Sequence, residues 1–419
     1  MEKFSRSMRV FAMMLVAALV LAACNGETDV ETDPDPDVDE TTDTDPEPDD
    51  DTDVDEADPE AEESAGRQSE WFDEELFDLQ MAWREATPEG PEGEPWVQYI
   101  DAEFRDTSEW AQDGPYTVCF SNAAVDNPWR QVGYTTMEAE VELHDDIAEF
   151  IHVDAGGSDE AQISDIEELL DSGNCDILIV SPNTTAALTP IVEQACEQLP
   201  VVVFDRGVNT DCTSTFIQPI GGYAFGAEAA EFLIDNVPEG GNIVALRILP
   251  GVDVLETRWV AGQILMEEAG LNIISAEFTE GDNAAVRSII DDIINRGEQI
   301  DGVWMDAGAT AVAAAEAFED QGLEVPPITG EDQNDFLQKW VDDDLTAIAP
   351  TFPTYQWRTP IIASLQILAG EEVPERWTLP QDPVTQDNLD QYIFPDMPPL
   401  FYAQCGCEEM PDFPQRWQN

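Results

Sequence analysis

Ten residues between positions 127 and 332 share one setting, at or close to the carboxyl end of an apolar run. They are Asn127, Trp129, Arg130, Ser181, Asp205, Arg206, Arg258, Asp306, Glu331 and Asp332. Their chemistry is that of hydrogen-bonding forks and rings. A ligand with hydroxyls around its edge and apolar C–H faces, such as a sugar, is held by such an inventory: planar groups for paired hydrogen bonds and an aromatic ring for the face. Hydrogen bonds to charged groups contribute roughly 1.5–3 kcal/mol each, so a handful suffices for tight binding. Taken singly, Ser181, Asp306 and Glu331 read equally well as surface charges or strand-end caps. Asp205-Arg206 is the sharper signal, because it follows directly on the apolar run Val201 to Phe204.

Other chemistry lacks its parts. The two histidines, His144 and His152, fall before and inside a predicted strand, away from strand tips. No HExxH, GxSxG or Walker-type loop occurs. Gly156-Gly157 and Gly221-Gly222 are turn glycines without a phosphate fingerprint. The expectation is a protein that is not an enzyme, with no cofactor and no metal. Besides Cys24, six cysteines remain: Cys119, Cys175, Cys196, Cys212, Cys405 and Cys407. A disulfide is expected between Cys196 and Cys212, which flank the strand ending in Asp205-Arg206. Closing that loop is worth roughly 3 kcal/mol. The pairing of the other four stays open, and Cys405-Gly406-Cys407 also suits a metal or redox pair.

The elements that must position the ten residues alternate. From Cys175 to Gly207 the chain reads strand, turn, helix, strand, with Ile177 to Val180 and Val201 to Phe204 as parallel strands buried on both faces. Thr189 is expected to cap the helix between them, with Pro190 as its first residue. Upstream, a strand from Tyr116 to Ser121 leads through a loop to a helix from Trp129. Ser158 caps another helix, Ile163, Ile166, Leu169 and Leu170 form its inner stripe, and Gly173 stops it. After Gly221-Gly222 the alternation resumes, with strands at Asn242 to Ile248, Asn272 to Phe278, Gly302 to Met305 and Pro327 to Thr329. Helices at Val260 to Ala269, Ala284 to Asn295 and Thr310 to Asp320 separate them. The expected fold class is α/β: two doubly wound parallel-sheet lobes with a ligand cleft between them.

From about Tyr116 to Asn388 the chain resembles the periplasmic sugar-binding proteins of the ribose/galactose type, the type I solute-binding proteins that feed ABC importers. The matching pieces are Asn127-Pro128-Trp129, Pro200 to Arg206, Thr257 to Gly262 and Gly330-Glu331-Asp332. The resemblance implies three crossings between lobes, near Pro219, Thr351-Phe352 and Leu379. It implies sugar contacts from Asn127, Trp129, Asp205, Arg206, Arg258 and Asp332, with Ser181 as a further polar contact. This chain departs from the pattern at three points. Asp306-Ala307-Gly308 stands where the family often has Asn-Asp, Arg130 replaces a second ring, and Glu331 replaces a common aromatic. All three add charge to the cleft, which leaves the identity of the sugar open and admits a modified or charged ligand.

The start of the chain concerns delivery. Lys3, Arg6 and Arg9 precede fourteen apolar residues, Val10 to Ala23. That run is too short to span a bilayer of about 30 Å and reads as an export signal. Leu21-Ala22-Ala23-Cys24 resembles a bacterial lipoprotein processing site, which implies a lipid on Cys24 and anchoring to the extracytoplasmic face of the cell membrane. From Glu27 to Ser64 there are 21 acidic residues and no base, an extended tether by composition. Net charge over all 419 residues is −75. Such acidity repels nucleic acid and anionic membrane surfaces and is tolerable where salt screens it, which points to a saline, halophilic habitat. The expected parts are a signal at 1–24, a tether at 25–65 and an extension at 66–113. A first lobe follows at 114–219 plus 352–379, and a second at 220–351 plus 380–419. The extension carries a helical stripe of Trp71, Phe72, Leu76, Leu79 and Trp83, expected to pack on the main domain. Three functions are compatible with this reading. One is a monomeric solute-binding lipoprotein that hands a sugar to an ABC permease. Another is a sensor serving a chemoreceptor or kinase. The third is a surface hydrolase using Asp306 and Glu331 as paired carboxylates.

Overall fold

Apolar runs in each half become the centres of two parallel sheets. The structure, a computed structural model, describes residues 64–418. In order, the elements are α1 (Glu74–Arg84), β1 (Phe104–Arg105), β2 (Tyr116–Asn122), α2 (Pro128–Val141), β3 (Ile147–Asp154), α3 (Asp159–Ser172), β4 (Ile177–Ser181) and α4 (Thr185–Cys196). Next come β5 (Val201–Phe204), β6 (Thr215–Pro219), α5 (Gly222–Asn236), β7 (Asn242–Arg247), α6 (Asp253–Glu268), β8 (Asn272–Phe278), α7 (Asn283–Asn295) and β9 (Gly302–Met305). The run closes with α8 (Gly308–Asp320), β10 (Ile328–Thr329), α9 (Asn334–Asp342), β11 (Ala347–Ile348), α10 (Thr359–Ala369), β12 (Val373–Pro374) and β13 (Arg376–Leu379). The expected signal, the lipidation site at Cys24 and the tether up to residue 63 lie outside the described residues. Among the described residues no helix is long and apolar enough to cross a membrane.

The first sheet has the order β13-β6-β5-β4-β2-β3, and all its pairings are parallel. One face packs on α2, α10 and the turn before α10 through Phe120, Ile179, Phe204, Met137, Ile361 and, from that turn, Trp357; the other packs on α3 and α4 through Leu178, Val180, Val203, Ile166 and Val192. The second sheet, β11-β10-β9-β7-β8, is likewise all parallel. Helices α7, α8 and α9 cover one side, and α5 and α6 the other. Two doubly wound α/β lobes result. β6 and β13 end at Pro219 and Leu379, where the first and third crossings were expected.

Local departures have local causes. Helix α4 begins at Thr185, not at Pro190, and its cap position is Thr184 rather than Thr189. Its start is held by α3: Asn183 N–H donates to Gln162 Oε1 at 2.8 Å, and the Thr184 hydroxyl donates to Asp159 Oδ2 at 2.9 Å. Those bonds set the helix one turn earlier and leave Pro190 inside it. Helix α6 begins at Asp253, seven residues before the expected start, so Arg258 lies in its second turn. On α1 the buried positions are Phe77, Gln80 and Trp83, whereas Leu79 of the expected stripe faces outward. Ser158 and Gly173 bound α3 as expected, with Ala161 N–H donating to Ser158 Oγ and Gly173 in the left-handed region at φ 64°.

The extension and the tail each touch both lobes. Helix α1 lies on the second lobe: Phe77 packs with Tyr223, Val260 and Ile264, and Arg84 pairs with Glu228 and Glu231 of α5. Residues further along join the first lobe, where Ile100 N–H donates to Thr378 O and β1 pairs with β12. The tail after β13, expected in the second lobe, divides in the same way. Val384, Leu389 and Ala403 enter the second core, whereas Cys405, Cys407, Met410 and Trp417 pack with Ala139 of α2. Trp417 Nε1–H donates to Thr136 at 3.0 Å, and Arg416 pairs with Glu142 at 2.8 Å. An amphipathic period cannot signal such a segment, because the tail meets two surfaces in turn. Cys119–Cys175, Cys196–Cys212 and Cys405–Cys407 are bonded as disulfides.

Candidate ligand-binding site

Parallel strands turn their carboxyl ends toward one edge, the edge at which open α/β sheets take ligands. On the first lobe β2 and β4 end in Asn122 and Ser181, and Asp205 follows β5. Arg130, on the first turn of α2, reaches across all three. Its guanidinium donates to Asn122 Oδ1 at 3.1 Å, Ser181 Oγ at 3.2 Å and Asp205 Oδ2 at 2.7 Å. Asp205 sits at φ 68°, a left-handed conformation that aspartate tolerates better than most residues. The chain turns there, and the two neighbours part. Asp205 meets Arg130, while the Arg206 guanidinium donates to Asn183 O at 2.5 Å. Among the described residues every lysine and arginine has a carboxylate partner except Arg206 and Arg376. Asn127 does not join the group: its Oδ1 accepts Arg130 N–H at 3.0 Å, as the cap of α2.

On the second lobe Arg258 is the centre. Its guanidinium pairs with Glu331 at 3.1 Å, donates to Asp306 O at 3.1 Å and lies 3.9 Å from the Phe225 ring centroid. Gly226 allows this placement, because a Cβ there would run into the Arg258 carbonyl and push α5 off α6. Asp306, Glu331 and Asp332 are 1%, 3% and 0% exposed. Glu331 accepts a second hydrogen bond, from the Tyr402 hydroxyl at 2.9 Å. Asp306 accepts Ile248 N–H at 3.1 Å through Oδ1, and Asp332 accepts Gln404 N–H at 2.7 Å through Oδ2. Asp306 Oδ2, Asp332 Oδ1 and Arg258 Nε have no partner. Burial pushes Asp306 up to about 7, against the pull of Arg258, and burial with Glu331 alongside pushes Asp332 up to about 7. Burial raises Glu331 too, with Arg258 opposing.

Phe352, at the second crossing, joins the two sides. Its ring lies 5.8 Å from Trp129 and 5.5 Å from the Arg258 guanidinium, and its carbonyl accepts Trp129 Nε1–H at 2.7 Å. Trp357 packs edge-on to Trp129 at 5.5 Å, a contact that needs the bare Cα of Gly133 beneath the indole. The structure therefore gathers Arg130, Ser181 and Asp205 on one wall and Arg258, Asp306, Glu331 and Asp332 on the other, with Trp129 at the aromatic join. Asn122, Phe225, Tyr402 and Gln404 complete these walls without having been singled out. Asn122 was readable as one more polar residue at a strand end. Tyr402 and Gln404 carry no signal, since they lie 71 and 72 positions from their partners, in a tail without regular secondary structure around them.

A family model described as periplasmic binding protein domain matches residues 118–372. The chain belongs to the periplasmic binding proteins. Among the curated relatives of this periplasmic binding protein, the ribose import binding protein of Bacillus subtilis (strain 168) is 24% identical over 56% of this chain and 77% of its own length. Two solved structures share the fold. An ABC transporter solute binding protein from Thermobispora bispora DSM 43833 superposes with a TM-score of 0.59 at 22% identity, over 69% of this chain and 90% of that one. The fructose binding periplasmic domain of a hybrid two-component system gives 0.56 at 22% identity, over 66% and 92%. The tail that supplies Tyr402 and Gln404 lies beyond the matched residues.

Proposed function

We propose that this periplasmic binding protein captures a sugar between its lobes and delivers it to an ABC transporter permease. It acts as a monomer outside the cytoplasm, held to the membrane by a lipid on Cys24. The observation that carries the reading is the set of buried polar atoms left without partners, Asp306 Oδ2, Asp332 Oδ1 and Arg258 Nε, beside the aromatic join of Trp129 and Phe352. Unpaired buried donors and acceptors are costly, and a polyhydroxylated guest repays them together. Ligand contacts are assigned to Trp129, Arg206, Arg258, Asp306 and Asp332. Arg130, Ser181 and Asp205 brace one another and present their remaining lone pairs and donors. Asn127 serves by starting α2. Binding without turnover is the better account of the acids, because Glu331 is occupied by Arg258 and Tyr402.

Arg206 provides the test, since it has no carboxylate partner to lose. Arg206→Lys replaces a rigid fork by a point charge and should weaken the sugar found in a thermal-shift screen at least tenfold, about 1.4 kcal/mol, with an unchanged melting temperature. Unchanged affinity removes Arg206 from the site. A second reading, sensing, is favoured by the structural likeness to the two-component fructose-binding domain. Cells lacking the protein separate the two: transport predicts lost uptake of the labelled sugar, and sensing predicts intact uptake with a lost transcriptional response.

A further inference from the structure

The acids of the second wall say more than that the ligand carries hydroxyls. Among the described residues the buried acids of this chain are Glu140, Glu256, Asp306, Glu331 and Asp332, and the nearly buried side chain of Asp205 joins them. Glu140 has Arg358, Glu256 has Arg247, Asp205 has Arg130 and Glu331 has Arg258. Only Asp306 and Asp332 make no ion pair, although Arg258 acts on both from further off. In a chain with 16 lysines and arginines against 91 acids, bases are scarce, yet the other buried carboxylates each receive one. A buried ionised carboxylate without a counter-charge is among the most costly groups a protein can hold. Backbone N–H groups meet one oxygen of each, and the other oxygen of each is unpaired. Among the described residues no three His, Cys, Asp or Glu side chains are placed to hold a metal ion. What offsets the two acids is then protonation, which burial favours for both, or a cation brought by the ligand.

We infer that the ligand is an amino sugar or amino cyclitol, whose ammonium group is taken by Asp306 and Asp332 while its hydroxyls face Arg206 and the Arg130 cluster. An ammonium brings three donors and one positive charge, which suits carboxylate oxygens that have neither a donor nor a counter-charge. Hydroxyls of a neutral sugar fill the same oxygens but leave three carboxylates, Asp306, Glu331 and Asp332, to one base, Arg258. Both acids are raised to about 7, and a cation beside them would restore them to carboxylates near neutral pH. On the first lobe Arg206 is near Arg130 and makes no ion pair, its guanidinium donating to Asn183 O. The inference rests on the sugar-binding reading and sharpens it.

Calorimetry on the full chain at pH 7 in high salt, with neutral pentoses, hexoses and inositols beside the amino-deoxy counterpart of each, tests it. The best amine should bind at least tenfold tighter than its neutral parent. Its N-acetyl form keeps the nitrogen and loses the charge, and should lose the gain. Asp306→Asn should bring the ratio of amine to neutral affinity toward one; if that variant does not fold, Asp332→Asn carries the same test. Neutral parents binding as tightly as their amines overturn the amine assignment and leave the sugar reading standing. If no member of the panel binds, both fall.

Discussion

On the first wall Arg130 meets one buried carboxylate, Asp205, and Arg206 stands near it with no acid; on the second, Arg258 meets Glu331 while Asp306 and Asp332 make no ion pair. The first wall is a finished network: three strand ends are tied by one guanidinium and little is left over. The second has open valences and surplus negative charge. The contrast separates two uses of buried charge. Where acid and base balance, the cluster fixes the geometry of strand ends. Where they do not, the shortfall is met by protonation or by a charge from outside.

The comparison is broken most severely at its most loaded residue. Arg258→Ala leaves Glu331 buried without a counter-ion beside two other acids, and should cost about 3–5 kcal/mol in denaturant unfolding of the empty protein. A cost below 1 kcal/mol would mean that protonation already carries the second wall. Titration sharpens the contrast. Asp306 and Asp332 are raised to about 7 in the folded protein, against roughly 3.9 in an unfolded chain. Between those values the folded state binds more protons, so the stability these two groups contribute is present below about pH 4 and lost as pH rises through about 7. The empty protein should melt lower at pH 8 than at pH 5, and the Asp306→Asn, Asp332→Asn double variant should show a flatter dependence; equal slopes would contradict the assignment. The smallest effect belongs to the balanced wall. Arg130→Lys keeps the charge on Asp205 but cannot span Asn122 and Ser181 as well, so about 1–3 kcal/mol should be lost with no change in the pH slope.

Much of the scaffold was legible because parallel strands buried on both faces show as short apolar runs, and Val201 to Phe204 followed by Asp205-Arg206 announces a strand end. The partition of roles was not. Nothing in the sequence says that Asp205 turns into the left-handed region and separates from Arg206, or that Arg130, read as the replacement for a second ring, is the guanidinium that binds three strand ends. Asn127 matched a family motif by type and position, yet its oxygen caps α2, a local bond that competes with any ligand. Tyr402 and Gln404 were out of reach because their partners, Glu331 and Asp332, are distant in sequence and the tail has no regular period.

Two lobes with separate cores are ordinarily free to unfold one at a time, and then a single unfolding free energy has no meaning. In this molecule the chain on either side of the family domain belongs to both cores. Phe77 and Trp83 enter the second lobe while Ile100 bonds to β13 of the first, and Ala403 enters the second while Trp417 docks on α2. Losing either lobe strips packing from segments that the other needs. The lobes are thus stitched at both ends of the domain, and a single unfolding transition, seen alike by probes in either lobe, is the expected outcome.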